Sequence, residues 1–234
     1  MRKALLITAI TALCVSAVSQ ESATIAWKPK EGHKTALRII VNAEVQGADV
    51  EVKIRTESTV LKVGEDGKVT IKGTEQMESL SFNGQVMEGA VLGPPTQSTY
   101  VMQKNGELIS IETDNPNPNP RMEEANVFLF PDREVKKGES WTRTRAADPA
   151  KGIRASKTTY TYLGSETVDG ELSHKVKIEF TETEGSAPMI FNATAWVSAA
   201  NGDLVRLEGR MDNVEFDPSV PPGSATVRIE RIKV

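Results

Sequence analysis

The sequence predicts an all-β protein of antiparallel strands, and two observations carry that prediction. Apolar and polar residues alternate with a period of two over 37–45, 50–55 and 175–180, which is typical of a sheet with one solvated face. Asn-Gly and Asp-Gly pairs separate such runs, and these pairs favour the tight turns of β-hairpins. We therefore expect one or more strongly curved antiparallel sheets.

Residues 1–19 have the order of a secretory signal peptide. Arg2 and Lys3 precede an uncharged apolar run, and Ala17 and Ser19 have the small-residue spacing of a cleavage site. The run is too short for a membrane-spanning helix. We expect cleavage near Ser19 and a secreted or periplasmic mature chain of the cell envelope, without a transmembrane anchor.

The mature chain is expected to be acidic and free of cysteine. Loss of residues 1–19 removes two of 28 basic residues against 32 acidic ones, which leaves a net charge of −6 and argues against nucleic acid as a partner. The only cysteine, Cys14, leaves with the signal, so no disulfide or thiolate ligand is expected. Leu13 stands where a lipid-attachment motif needs a small residue, which disfavours a lipid anchor at Cys14.

Proline and asparagine divide the chain near its middle. We predict a first β unit over 20–114, a linker with a short helix over 115–126, and a second β unit over 127–234. Prolines at every second position cannot pair inside a central strand, so the linker is expected to be extended. Asn119 as N-cap and Pro120 at the first helical position predict one short helix near 120–126.

The two units match at three places in the same order, which favours an internal repeat. The alternative is that any all-β chain has hairpins with glycine at the tip. The matched pairs are Lys30–Gly32 with Lys136–Gly138, Asp66–Gly67 with Asp169–Gly170, and Asn105–Glu112 with Asn201–Glu208.

The last strand shows a change of phase. Val227 and Ile229 share one face, whereas Ile232 and Val234 fall on the other. One extra residue near Glu230 would return both pairs to the core side, so we predict a β-bulge there.

The sequence contains no motif that indicates a particular enzymatic reaction. His33 and His174 are the only histidines and are far apart in sequence, which disfavours a metal site. Ser140 and Ser165 lack the Gly-x-Ser-x-Gly elbow, and no Gly-rich phosphate loop occurs. The sequence therefore predicts no catalytic residue, no metal and no cofactor. A non-enzymatic protein is expected, with a hydrolase as the remote alternative.

Large aromatic rings are the candidate ligand-binding residues. A curved sheet lined with such rings can hold an apolar ligand, and burial of each ring contributes about 2 kcal/mol. The same rings would serve equally well in a filled core. The candidates are Trp141, Tyr160, Tyr162, Phe191 and Trp196.

The stretch from Phe130-Pro131 through Lys137-Gly138 to Trp141, and on to Phe180, resembles uncharacterised secreted bacterial β proteins. In these a proline-led loop and a Lys-x-Gly turn precede an aromatic strand. They distantly resemble lipoprotein carriers, half-barrels in which a bent antiparallel sheet cups an acyl chain. The resemblance covers roughly 127–210 and implies a half-barrel fold. The carriers cover the mouth of the sheet with several helices, where this chain has one.

The expected function is binding of an apolar or lipid-like small molecule, or of an envelope protein. The alternative is a structural or interaction module with no small-molecule ligand. An apolar cavity between sheet and helix would favour the first, and a closed, filled core the second.

Overall fold

The computed structural model describes residues 21–87, 93–215 and 221–234. Strands make up 62% of the structure, so the predicted all-β class is confirmed. The predicted signal peptide and its cleavage site lie outside the described residues. The strands are β1 (Ser22–Ala23), β2 (Lys34–Val45), β3 (Ala48–Val63), β4 (Lys68–Phe82), β5 (Gln85–Met87), β6 (Thr96–Gln103), β7 (Leu108–Thr113), β8 (Val135–Lys136), β9 (Ser140–Arg145), β10 (Ser156–Val168), β11 (Glu171–Glu182), β12 (Ile190–Ser198), β13 (Leu204–Val214) and β14 (Gly223–Ile232).

One curved antiparallel sheet dominates the molecule. Its strands follow the order β7-β6-β4-β3-β2-β14-β13-β12-β11-β10-β9, with β5 added beside β4. The sheet is not closed on itself, and β1 and β8 form a small second sheet. Because β14 pairs with β2, the sheet is continuous across the two predicted units. That these units are repeats of each other stays a prediction.

Three rows of apolar side chains cross the inner face of the sheet, the face on which the core lies. Register places the members of each row directly opposite one another on neighbouring strands. The rows are Tyr160, Ile178, Ala193, Gly209, Val227, Val41, Val52 and Leu80; Tyr162, Val176, Ala195, Leu207, Ile229, Ile39, Ile54 and Met77; and Phe180, Phe191, Met211, Ala225, Ala43, Val50 and Phe82.

The predicted helix is present as α1 (Pro120–Ala125). The side chain of Asn119 caps it by accepting a hydrogen bond from the Met122 N–H at 3.1 Å, and Pro120 occupies the first turn. Two buried ion pairs fix α1 against the sheet. Arg121 donates two hydrogen bonds of 2.7 Å to Glu182 on β11, and Glu124 accepts from Arg143 on β9.

Arg143 also joins the two ends of the sheet. It donates from Nε and Nη2 to the carboxylate of Glu107, which directly precedes β7, at 2.7 and 2.6 Å.

Burial by itself would raise the pKa of Glu182, but hydrogen bonds from Arg121 and from the Met189 N–H, with the guanidinium charges nearby, hold this pKa below the ordinary value.

The β-bulge predicted near Glu230 is wrong. β14 pairs without interruption with β2 up to Ile232, and against β13 the irregularity lies between Met211 and Val214. Ile232 lies opposite Ala36 on the outer face of the sheet. The change of phase therefore leaves the last apolar side chains on the outer side, and Val234 is exposed.

We expect Asn119→Ala to lower the free energy of unfolding by about 1 kcal/mol, because it removes the helix cap. Asn117→Ala, an exposed position in the same Asn-Pro segment, is the control and should change it by much less. Urea denaturation measures both. Equal losses in the two variants would show that the cap does not stabilise α1.

Candidate functional site

A cavity of about 400 Å³ lies between the inner face of the sheet and the segments that cross it. Its volume falls within the range of roughly 300–1,000 Å³ that is typical of small-molecule sites. Polar side chains are few among its lining residues, namely Thr35, Asn126 and Asp203. The apolar walls include Leu37, Ile39, Ile178, Phe191, Leu207 and Ile229 from the sheet, and Trp27, Val127, Phe128 and Phe130 from the crossing segments.

Two crossing segments cover the cavity, and we call them the N-terminal strap (residues 24–28) and the central strap (residues 127–130). Each is held by a backbone hydrogen bond to an Asn-Gly hairpin turn. The Lys28 N–H donates to the Asn201 carbonyl at 2.8 Å, and the Phe130 N–H donates to the Asn105 carbonyl at 2.7 Å. Each strap therefore docks on the hairpin of the other predicted unit.

The glycine of each turn is required for this approach. A Cβ at Gly202 would overlap the carbonyl oxygen of Ala26, and one at Gly106 would overlap that of Phe128. Both glycines also have positive φ, 82° and 89°, which L side chains adopt at a cost. The predicted hairpins at both turns are present, joining β6 to β7 and β12 to β13.

The three apolar rows continue beyond the cavity onto an open part of the inner face. Across β10 to β12 their members are buried, as Tyr160 and Val176 at 0% exposure illustrate. Across β3 and β4 they are only partly buried, and Phe82 is 39% exposed. We call this open part the apolar trough; its members are Val50, Val52, Ile54, Met77, Leu80 and Phe82.

Polar groups beside the cavity are already paired with one another. Asp203 Oδ2 lies 2.6 Å from His33 Nε2 and accepts from the Asn201 side-chain amide at 2.7 Å. The Asp203 N–H in turn donates to the Asn201 side-chain carbonyl. The site therefore presents apolar walls with one satisfied carboxylate.

Of the five predicted aromatic residues, Phe191 lines the cavity. Trp141 and Tyr160 stack with ring centroids 5.5 Å apart, and both hold the central strap. The Trp141 Nε1–H donates to the Leu129 carbonyl at 2.7 Å, and the Tyr160 hydroxyl donates to the Val127 carbonyl at 2.8 Å.

Tyr162 and Trp196 lie elsewhere. Trp196 is on the outer face with Val168 and Val205, donates to Glu166, and has the Lys175 ammonium 5.2 Å from its ring centroid.

Sequence reasoning missed Trp27, Phe128, Phe130 and Ile39, which line the cavity. Phe128 and Phe130 lie just before the Pro131 loop and Trp27 just before Pro29, so an aromatic residue ahead of a proline was the available signal.

Tyr162 belongs to a polar network in which a serine side chain contacts a histidine ring. Its hydroxyl lies 2.7 Å from Ser165 Oγ, which lies 3.0 Å from His174 Nδ1. The carboxylate of Glu21 accepts from the Tyr162 hydroxyl at 2.9 Å and from the Ser165 N–H at 2.6 Å. None of these residues lines the cavity, and the network ties Glu21 to the sheet.

No protein-family model matches the chain, and no curated protein sequence matches it. Solved structures are similar over most of its length. One, described as an exported protein with a YmcC-like fold from Bacteroides fragilis, is 12% identical, with 90% of this chain and 100% of that chain covered and a TM-score of 0.39. The hypothetical lipoprotein YmcC from Escherichia coli is 16% identical, with 88% and 89% covered and a TM-score of 0.35.

A third structure, described as an outer membrane lipoprotein-sorting protein domain from Vibrio parahaemolyticus, is 9% identical, with 87% and 85% covered and a TM-score of 0.24. At such identities and TM-scores no function or residue is carried over.

Within the described ranges no helix is long and apolar enough to cross a membrane, and no group of three or more potential metal ligands occurs.

We expect Gly202→Ala to destabilise the protein more than Gly170→Ala does. Gly170 has a similar φ of 83°, but a Cβ there would have nothing within 4 Å. Each change costs about 1–2 kcal/mol from the left-handed backbone, and overlap with the N-terminal strap adds about 1–3 kcal/mol at Gly202. Urea denaturation measures the difference, and equal costs would contradict the tight docking.

Acidification should weaken the network at Glu21. Burial lowers the pKa of His174 below 6.5, so the unfolded chain takes up a proton before the folded one does. The contribution of neutral His174 to the free energy of unfolding is therefore fully present above about pH 6.5. It is lost as the pH decreases through the lowered pKa of the folded state. In His174→Gln this part of the pH dependence should be absent from urea denaturation series; a slope identical to that of the wild type would contradict the assignment.

Proposed function

We propose that this protein is a non-enzymatic binding protein of the cell envelope that holds an apolar, lipid-like ligand against the inner face of its sheet. The observation that supports this most is the cavity, with its apolar walls between the sheet, α1 and the two straps. Export is the expectation from the signal-like residues 1–19.

The chemistry of the cavity favours an apolar ligand. Each methylene group removed from water contributes about 0.8 kcal/mol, whereas the single carboxylate of the lining, Asp203, is already paired with His33 and Asn201. A ligand therefore gains affinity chiefly from its apolar part. The apolar trough extends the same surface, so a chain longer than the cavity has further apolar contacts along β3 and β4.

An interaction module without a small-molecule ligand is the second candidate, and the trough is the observation that favours it. A protein partner could cover the partly exposed side chains of β3 and β4 as well as a lipid could. A hydrolase has less support, because the Ser165–His174 pair lies outside the cavity lining.

The neighbouring residues Ile39 and Ile40 give a matched test. Both are partly buried, but Ile39 lines the cavity and Ile40 faces the other side of the sheet. We expect Ile39→Gln to weaken binding of a fluorescent fatty acid by about tenfold or more, because it places an amide in an apolar wall. Ile40→Gln should leave the affinity unchanged. Fluorescence titration measures the dissociation constants.

Native mass spectrometry of the purified wild type complements the titration, and a co-purified lipid is the expected result. Fatty acids, phospholipids and neutral lipids would each be titrated. No saturable binding of any of them, with no co-purified lipid, would reject the ligand-binding proposal and favour the interaction module.

A further inference from the structure

Two of the three polar side chains that line the cavity lie at the same end of it. Asp203 directly precedes β13, and its carboxylate contacts His33, which is two residues before Thr35 in the chain. From Thr35, alternate residues of β2 lead to Ile39 in the apolar rows. The third polar residue, Asn126, follows the last residue of α1 and is exposed. The cavity therefore has a polar end and an apolar body.

The polar end carries a carboxylate and lacks a basic side chain in its wall. Asp203 is the only charged residue among the described residues that line the cavity, and its side chain is only 10% exposed. Lys28 of the N-terminal strap is not part of the lining, and its ammonium donates to the Ala200 carbonyl at 3.2 Å. The imidazole of His33 contacts Asp203 itself. The wall therefore offers no lysine or arginine to neutralise an anionic ligand.

The carboxylate of Asp203 has one oxygen available to a ligand. The His33 ring at 2.6 Å and the Asn201 side-chain amide at 2.7 Å both contact Oδ2. Among the described contacts none involves Oδ1, and Oδ1 is not among the fully buried side-chain atoms that lack a partner. Each carboxylate oxygen accepts about two hydrogen bonds. Because Asp203 lines the cavity, Oδ1 is free to accept from a donor on a ligand.

The same carboxylate disfavours an anionic head group. Two like charges a few ångströms apart repel each other, and the repulsion is stronger where water is excluded. A charge that leaves water without a partner costs affinity as well. A hydroxyl or ammonium head group avoids both costs, because it donates a hydrogen bond to the carboxylate.

From this geometry we propose that the ligand is an amphiphile whose head group bears a hydrogen-bond donor and no negative charge, such as a fatty alcohol, a monoacylglycerol or an alkylamine. The head group donates to Asp203 at the polar end, and the chain lies along the apolar body. A fatty acid still binds through its chain, but less tightly. This inference rests on the proposed function and specifies which lipid-like ligands the cavity takes.

Three ligands with the same chain and different head groups test the proposal on the intact protein. They are dodecanol, dodecylamine and dodecanoic acid, titrated at neutral pH, where the amine is protonated and the acid is ionised. Isothermal titration calorimetry, below the concentrations at which the ligands aggregate, measures each dissociation constant. We expect dodecanol and dodecylamine to bind about tenfold more tightly than dodecanoic acid.

Asp203→Asn removes the charge but keeps the size of the side chain and one acceptor oxygen. We expect dodecanoic acid to gain affinity and dodecylamine to lose it, so that the ratio of their dissociation constants changes by about tenfold or more. The ratio is the readout because a looser N-terminal strap would weaken all three ligands alike. The matched control Asp212→Asn removes a carboxylate from the outer face of β13 and should leave all three affinities unchanged.

The outcomes separate this inference from the proposed function. Dodecanoic acid that binds as tightly as dodecanol, or more tightly than dodecylamine, would overturn the head-group preference and leave the cavity as an apolar ligand site. An unchanged ratio in Asp203→Asn would overturn it as well, because another group would then set the preference. No saturable binding of any of the three ligands would reject the proposed function and this inference with it.

Discussion

The pairing of β14 with β2 is the interaction on which the rest of the structure depends. It joins residues near the C-terminus to residues near the start of the described chain, for example Ile229 opposite Ile39. Without it the sheet would be two separate meanders with four edges instead of two. The pairing also sets the register of the three apolar rows, because a slip of one residue would turn one half of each row to the outer face. The cavity of about 400 Å³ lies over this junction, and Ile39 and Ile229 both line it.

The two halves of the sheet use their inner faces differently, and the helix explains the difference. Both ion pairs of α1 lead to the half that contains β9 to β11, through Arg143 and Glu182. That half is therefore covered, and its large rings are buried. The half that contains β3 and β4 keeps mainly aliphatic side chains, which are partly exposed to water, together with the exposed Phe82. An exposed apolar face of this extent costs solubility unless something binds there, which is the physical basis for treating the trough as part of the site.

The sequence predicted local features well and long-range neighbours poorly. Alternation and turn pairs depend on nearest neighbours, so the antiparallel strands and the Asn119-capped helix were predictable. The side assignment of Phe191 and Trp196 was also within reach: they are five residues apart on one strand, an odd separation, and so face opposite sides. Which aromatic rings meet across the sheet was not predictable, because strand order is set by pairings that no local pattern records. The straps are the clearest case, since nothing near Trp27 indicates its contact with the turn at Gly202.

The docking of the N-terminal strap has a consequence for the order in which the molecule is made. The strap contributes its contacts at Ala26 and Lys28, but its hairpin, at Asn201 and Gly202, emerges about 170 residues later. Contacts of such sequence separation form late, because chain entropy must be lost before they stabilise anything. In an exported protein, as we propose this one to be, the N-terminal strap can dock only after the hairpin at Asn201 and Gly202 has also crossed the membrane. The wall of the cavity would then be completed only on the far side.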